Sequence, residues 1–149
     1  MAALTAAIIT KRLNQESVPF ELSLPVKAST IIYGGATVCT DSTGYAKGAV
    51  EATGLKVWGV AEETVDNSAG SNGTKWIKVR CGAFTRDVGT SGDALAAADI
   101  GKTVYAIDDH TVGKTTNSGA RSPAGIFLGF ETDGTPFFLL NWQVTAALT

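Results

Sequence analysis

Between Thr30 and Trp142, short apolar runs rich in Val, Ile, Phe and Trp alternate with glycine-containing turns. In the run Val18-Pro-Phe-Glu-Leu-Ser-Leu24, Val18, Phe20, Leu22 and Leu24 share one face. Pro19, Glu21 and Ser23 share the other. This period-two pattern predicts a half-buried strand, and Pro19, which cannot donate to a ladder, places it at a sheet edge or entrance. Further strands are predicted over 30–33, 36–40 and 45–50, over 57–61 continuing through 65, and over 75–81. Past a bulge at Gly82 the last of these extends to residue 84. Four more are predicted over 103–107, 111–115, 125–130 and 137–142. Asp41-Ser-Thr-Gly44, Asp108-Asp-His110 and Asp133-Gly134 read as hairpin turns.

In the 75–81 run, Ile77, Val79 and Cys81 face one way, and Trp76, Lys78 and Arg80 the other. Residues 66–73 hold no large apolar side chain and predict an exposed loop. One helical turn is expected at 93–99, capped by Ser91 or Asp93 and ended by Gly101. Nine or ten strands at this spacing predict an all-β, mainly antiparallel fold. It would be a small β-barrel or β-sandwich with one short helix.

Residues 1–17 differ from the rest. They lack glycine and turn signals, and Leu4, Ile8, Ile9 and Leu13 do not alternate strictly. A short isolated helix with β-branched residues is marginal, so an extended N-terminal arm is expected at 1–17, ahead of a single β-rich domain at 18–149. A chain of 149 residues suffices for one such domain and needs no metal or disulfide staple.

Charged residues make up 17% of the chain, against about 25% in a typical protein, so Thr, Ser, Ala, Gly and Asn must build much of the surface. Such a surface repels neighbours weakly. Net charge is −2, and Lys11-Arg12 is the one adjacent basic pair, which argues against a nucleic-acid partner. No apolar run approaches the ~20 residues that span a bilayer, and no basic region precedes the apolar start as a secretory leader requires. No membrane association is expected. Cys39 and Cys81 each lie in an apolar run and read as buried free thiols.

Candidate chemistry is sparse. His110, the single histidine, lies in a predicted turn without a positioned nucleophile. Asp108, Asp109 and His110 are expected to chelate poorly, because neighbours on a strand point to opposite faces. For the same reason Glu62 and Glu63 do not form a carboxylate dyad. Gly113-Lys114-Thr115 echoes the end of a phosphate loop, but no helix is expected after it. The pattern predicts no enzyme and no cofactor. Trp58 reads as core. Trp76 is the best candidate for an exposed aromatic, fitting a protein interface, second-layer packing or a sugar platform.

The run Lys27-Ala-Ser-Thr-Ile-Ile-Tyr-Gly-Gly-Ala-Thr-Val38, followed by Asp41-Ser-Thr-Gly-Tyr45 and Val57-Trp-Gly-Val-Ala61, resembles the phage capsid cement, or head decoration, proteins. So does the later order of Asp66-Asn-Ser-Ala-Gly70, Lys78-Val-Arg-Cys-Gly-Ala-Phe84, Asp99-Ile-Gly-Lys-Thr-Val-Tyr105 and Asp108-Asp-His-Thr-Val112. The likeness spans about residues 27–130 and lies in the order of pieces. It implies a non-catalytic virion protein on the outer surface of the head, made in the host cytoplasm. Its partners would be the major capsid protein and itself, as a homotrimer. The arm then supplies candidate capsid contacts: Leu4, Ile8, Ile9, Lys11, Arg12 and Leu13. Two other expectations remain open: a tail or tube subunit, and a carbohydrate-binding adhesion module using Trp76 and the 66–73 loop.

Overall fold

The computed structural model describes residues 20–148. The arm expected at 1–17, with its six candidate contacts, lies outside the described residues, as does Val18. The fold is all-β and mainly antiparallel. Twelve strands form in order: β1 (Phe20–Pro25), β2 (Thr30–Ile32), β3 (Thr37–Thr40), β4 (Ala46–Gly48), β5 (Lys56–Ala61) and β6 (Val65–Asn67). They continue as β7 (Trp76–Phe84), β8 (Asp87–Val88), β9 (Thr103–Ala106), β10 (Thr111–Gly113), β11 (Pro123–Phe130) and β12 (Pro136–Leu140), followed by helix α1 (Trp142–Leu148).

Ten strands form one sheet: nine follow the path β4-β3-β5-β7-β12-β11-β9-β10-β8, and β1 pairs with β7 off that path; β2 and β6 form a separate pair. The long strand β7 joins the halves. Its first part pairs with β1 from Trp76 to Cys81 and with β5 at Val79 and Arg80, and its last part, Gly82 to Phe84, pairs with β12. The path has two free ends, so the barrel alternative is not realised. One isolated parallel bridge, Val26 to Ala46, links the end of β1 to β4 without making a ladder.

Two apolar cores lie on either side of a shared wall. One holds Leu24, Val26, Ile32, Val38, Ala61, Ile77 and Val79; the other holds Cys39, Val57, Val60, Val104, Val112, Phe127, Phe138 and Leu140. Strands β3 and β5 contribute to both. All four residues of β3 are buried, which is the signature of a strand covered on both faces. A register shift between Val38 and Cys39 accompanies the change of core along β3. The two threonines of this wall are satisfied: Thr40 Oγ1 accepts from Trp58 Nε1 at 2.8 Å, and Thr37 Oγ1 from Arg86 Nη1 at 3.3 Å.

The hairpins form where local turn chemistry specified them. Asp41 Oδ1 accepts from Thr43 N–H at 2.9 Å, and Asp133 Oδ1 from Thr135 N–H at 3.0 Å. Gly134 at φ +89 takes the left-handed position that glycine reaches at no steric cost.

Three local expectations are corrected. The predicted strand at 57–65 breaks after Ala61, and Val65–Asn67 pairs instead with β2. The predicted helical turn at 93–99 is replaced by two short 3-10 turns, Ser91–Asp93 and Ala97–Asp99. Neither Ser91 nor Asp93 caps it; the Asp93 carboxylate accepts from Thr115 and Arg121. The predicted strand at 137–142 ends at Leu140, because Asn141 Oδ1 accepts from Gln143 N–H at 2.8 Å and caps α1. Thr145 then anchors the helix by donating to the Val57 carbonyl at 2.5 Å.

The 66–73 loop is exposed as expected at Asp66, Ser68, Ala69, Ser71 and Asn72, with one buried residue. Asn67 is 1% exposed, and its Nδ2 lies within hydrogen-bond distance of the carbonyls of Val26 (3.3 Å), Lys27 (3.0 Å) and Ser71 (3.0 Å). The loop is therefore pinned from beneath to the segment after β1. Gly70 is required above it: a Cβ there would stand 2.0 Å from Asn67 Oδ1. Asn67→Ala is expected to lower the unfolding free energy by about 2 kcal/mol, since the part-buried carbonyls of Lys27 and Ser71 lose this donor. Urea denaturation should show a lower midpoint at unchanged slope; a change within error would show that the loop does not depend on this side chain.

Candidate functional site

The β7–β12–β11 region carries a shallow open cleft whose side chains are mainly apolar and whose surface also exposes backbone polar atoms and Glu131. Ala83 of β7, Phe137 of β12, Leu128, Gly129 and Phe130 of β11, and Glu131 line a volume of about 390 Å³. Strand alternation and a bulge set its geometry. Phe127 of β11 and Phe138 of β12 point into the core and Leu128 and Phe137 take the opposite face, whereas the shift in register after Phe127 returns Phe130, paired with Pro136, to the side of Phe127. Leu128 and Phe130 are 45% and 46% exposed. The cleft has a packed base, because the Phe130 ring meets Phe127 edge-on at 5.1 Å and Phe127 lies against Phe138 at 5.4 Å. A β-bulge sits between Phe127 and Gly129, where Gly129 adopts φ +114. Of the lining residues Glu131 alone is charged. Large side chains left open on a sheet face make a candidate association surface.

Trp76, expected to be exposed, is 58% exposed at the start of β7, opposite Pro25 of β1. Trp58 differs from the core expectation. It is half-buried, stacks on Trp142 at 5.8 Å, and carries Lys56 Nζ over its ring at 4.7 Å. The three tryptophans therefore do not form one platform: Trp58 and Trp142 pair with each other, and Trp76 stands on a separate strand end.

Asp108, Asp109 and His110 come together more closely than strand alternation predicts. They occupy the β9–β10 turn rather than a strand. His110 Nδ1 lies 3.0 Å from Asp108 Oδ1 and 2.8 Å from Asp109 Oδ1. All three offer ligand atoms within 4.8 Å of one another. The hydrogen bond to Asp109, with the charge of Asp108 beside it, raises the His110 pKa. The turn is also structural: the Asp109 carbonyl accepts from Thr37 N–H at 2.7 Å and from Arg86 Nη1 at 3.3 Å.

Sequence reasoning missed the Arg121 network. This side chain, 8% exposed, donates from Nε to Glu51 at 2.7 Å and from Nη1 to Asp93 at 2.9 Å and the Thr115 carbonyl at 3.0 Å. It ties together three loops that lie far apart in the chain. The contact with Arg121 holds the Asp93 carboxyl down at about 2. Both thiols are buried and free, as expected, and burial pushes Cys39 up to about 12. The cleft was also missed. Its signal was present in Gly125-Ile-Phe-Leu-Gly-Phe130, where both alternate positions are apolar and no polar face is left for solvent.

No family model, curated protein or solved structure matches this chain.

Two outcomes follow from these ion pairs. Asp93 has a native pKa below its unfolded value, so its contribution to stability is full above about pH 4 and fades as pH falls toward 2. Arg121→Met should cost about 3 kcal/mol in urea unfolding at pH 7, because it strands two carboxylates and the Thr115 carbonyl, and should flatten the acid limb of stability. An unchanged acid limb would remove Asp93 as its source. His110, with its native pKa raised, contributes stability below about pH 6.5 that is lost as pH rises through the native value. NMR titration of its ring should place the midpoint above 6.5, and Asp109→Asn should lower it. A midpoint insensitive to that substitution would contradict the assigned cause.

Proposed function

We propose that the protein is a capsid decoration protein that binds the outer surface of a phage head and stabilises the expanded shell. The observation that carries the reading is the open cleft of Ala83, Leu128, Phe130 and Phe137 on a well-packed sheet. It suits a chain whose work is association, and it agrees with the resemblance in the order of segments over residues 27–130. The partners are then the major capsid protein and other copies of the chain, as a homotrimer on the outside of the virion. The physical role is linkage: a ligand that binds the expanded lattice better than the compact one stabilises the former by mass action. Low charge density suits close packing on such a lattice. Three linked copies would gain avidity through effective concentration.

A second reading rests on Trp76, an exposed indole beside the loop that begins at Asp66. It would make the protein a carbohydrate-binding adhesion module. A glycan array comparing wild type with Trp76→Ala decides that reading: loss of a signal supports it, and no signal in either protein ends it.

Purified protein added to expanded heads is expected to saturate at a fixed stoichiometry and raise the temperature at which the heads rupture. Deleting residues 2–13 should weaken binding while the circular dichroism of the body stays unchanged. Equal occupancy by the deletion variant would remove the arm from the contact, and no binding by the wild type would end the proposal.

A further inference from the structure

We propose that the β9–β10 turn is a site for a divalent transition-metal ion of the zinc class, ligated by Asp108, Asp109 and the imidazole of His110. The inference goes beyond the head-binding reading and does not rest on it.

Neighbours on a strand point to opposite faces, and three consecutive strand residues would chelate poorly. These three escape that rule because the chain reverses between Ala106, the end of β9, and Thr111, the start of β10. The N–H groups of Ile107 and Asp108 donate to the Thr111 carbonyl at 3.0 and 3.4 Å, and the His110 N–H donates to Asp108 Oδ1 at 2.9 Å. The reversal brings both carboxylates to one imidazole nitrogen.

The spacing of the donor atoms is the first observation. His110 Nδ1 lies 3.0 Å from Asp108 Oδ1 and 2.8 Å from Asp109 Oδ1. Ligand atoms bound at about 2.1 Å, and at right angles around one ion, stand roughly 3.0 Å apart. An ion can therefore replace the Nδ1 hydrogen between the same three atoms. The displaced proton passes to Nε2 or to solvent.

The second observation is the donor set. Oxygens alone suit calcium or magnesium. One imidazole nitrogen with two carboxylates is a mixed set, which favours zinc, cobalt or nickel over those hard ions. Among the described residues this is the one group of three whose ligand atoms come together in this way. The three side chains are 42–61% exposed, so an ion held here keeps positions open to water.

The third is that main-chain bonds hold the turn and leave its side chains available. The Asp109 carbonyl accepts from Thr37 N–H of β3 at 2.7 Å, and the His110 carbonyl accepts from Asp87 N–H of β8 at 2.9 Å. Ligands held beforehand lose less freedom on binding. The local charge is net acidic: Asp87 adds its field at His110, beside Asp108 and Asp109. Arg86, the cation next to them, donates Nη1 to Thr37 Oγ1 and to the Asp109 carbonyl. Since the turn is tied to β3, an ion that binds only the folded turn stabilises the body.

Titration of the full chain, without an affinity tag, with zinc chloride near neutral pH tests this. Cys39 and Cys81 are buried and do not compete in the folded protein. Calorimetry is expected to show a single site, with calcium chloride binding more weakly than zinc. His110→Ala should weaken zinc by about tenfold or more, and Asp109→Asn, which keeps the main-chain carbonyl, should weaken it as well. Glu63→Gln, at an exposed acid outside the turn, should leave the affinity unchanged. No heat at millimolar zinc, equal affinity in His110→Ala, or calcium binding tighter than zinc would each overturn the proposal. Cobalt(II) gives a readout that needs no variant: NMR signals of Asp108 to Thr111, Thr37 and Asp87 should broaden first, and broadening centred elsewhere would place the ion outside the turn and sink the assignment.

Discussion

The constraint on which the structure depends is the burial of β3 on both faces, with β5 beside it contributing to both cores. A strand with solvent on one side can alternate apolar and polar residues. A strand between two cores cannot, and every side chain on it must be apolar or have a partner. That requirement explains Val38 and Cys39 side by side, each in a different core. It also explains why Thr37 and Thr40 are held by Arg86 and Trp58. Burying these hydroxyls without acceptors or donors would cost more than their methyl groups return. The wall in turn fixes β7, which pairs with β5 on one stretch and hands over to β12 on the next. The cleft stands on that second stretch, so its position is set by the wall.

Electrostatics serve the periphery of this arrangement. Arg121 gathers Glu51 and Asp93, Lys27 pairs with Asp41, and Arg80 pairs with Glu62. They tie loops to one another or to a strand, and none sits inside a core. The Arg121 group is the most enclosed of them. Breaking it would leave a nearly buried charge, which costs more than an exposed pair can contribute.

What could be read from the chain was local. The turns at Asp41 and Asp133 declare themselves through an aspartate that bonds its own backbone two residues on, followed by glycine. The hydrophobic alternation of 75–81 sorts Trp76 outward and Ile77 inward. What could not be read was contact between distant segments. Arg121 meets Glu51 across 70 positions and Asp93 across 28. The helix after Leu140 depends on Asn141 acting as a cap and on Thr145 finding the Val57 carbonyl, 88 residues away. The break after Ala61 depends on β2 being near enough to recruit Val65–Asn67. The cleft was hidden for a different reason: in a run that is apolar at every position, period-two reading cannot say which side faces water.

The free ends of the sheet path carry a further consequence. Its terminal strands, β4 and β8, are three and two residues long. Such stubs offer little unpaired backbone to template growth of a ribbon. The longer rim at β1 includes Glu21 and finishes at Pro25, a residue with no amide hydrogen to give. Among the described residues, these edges of the large sheet are thus poor templates for fibrillar stacking.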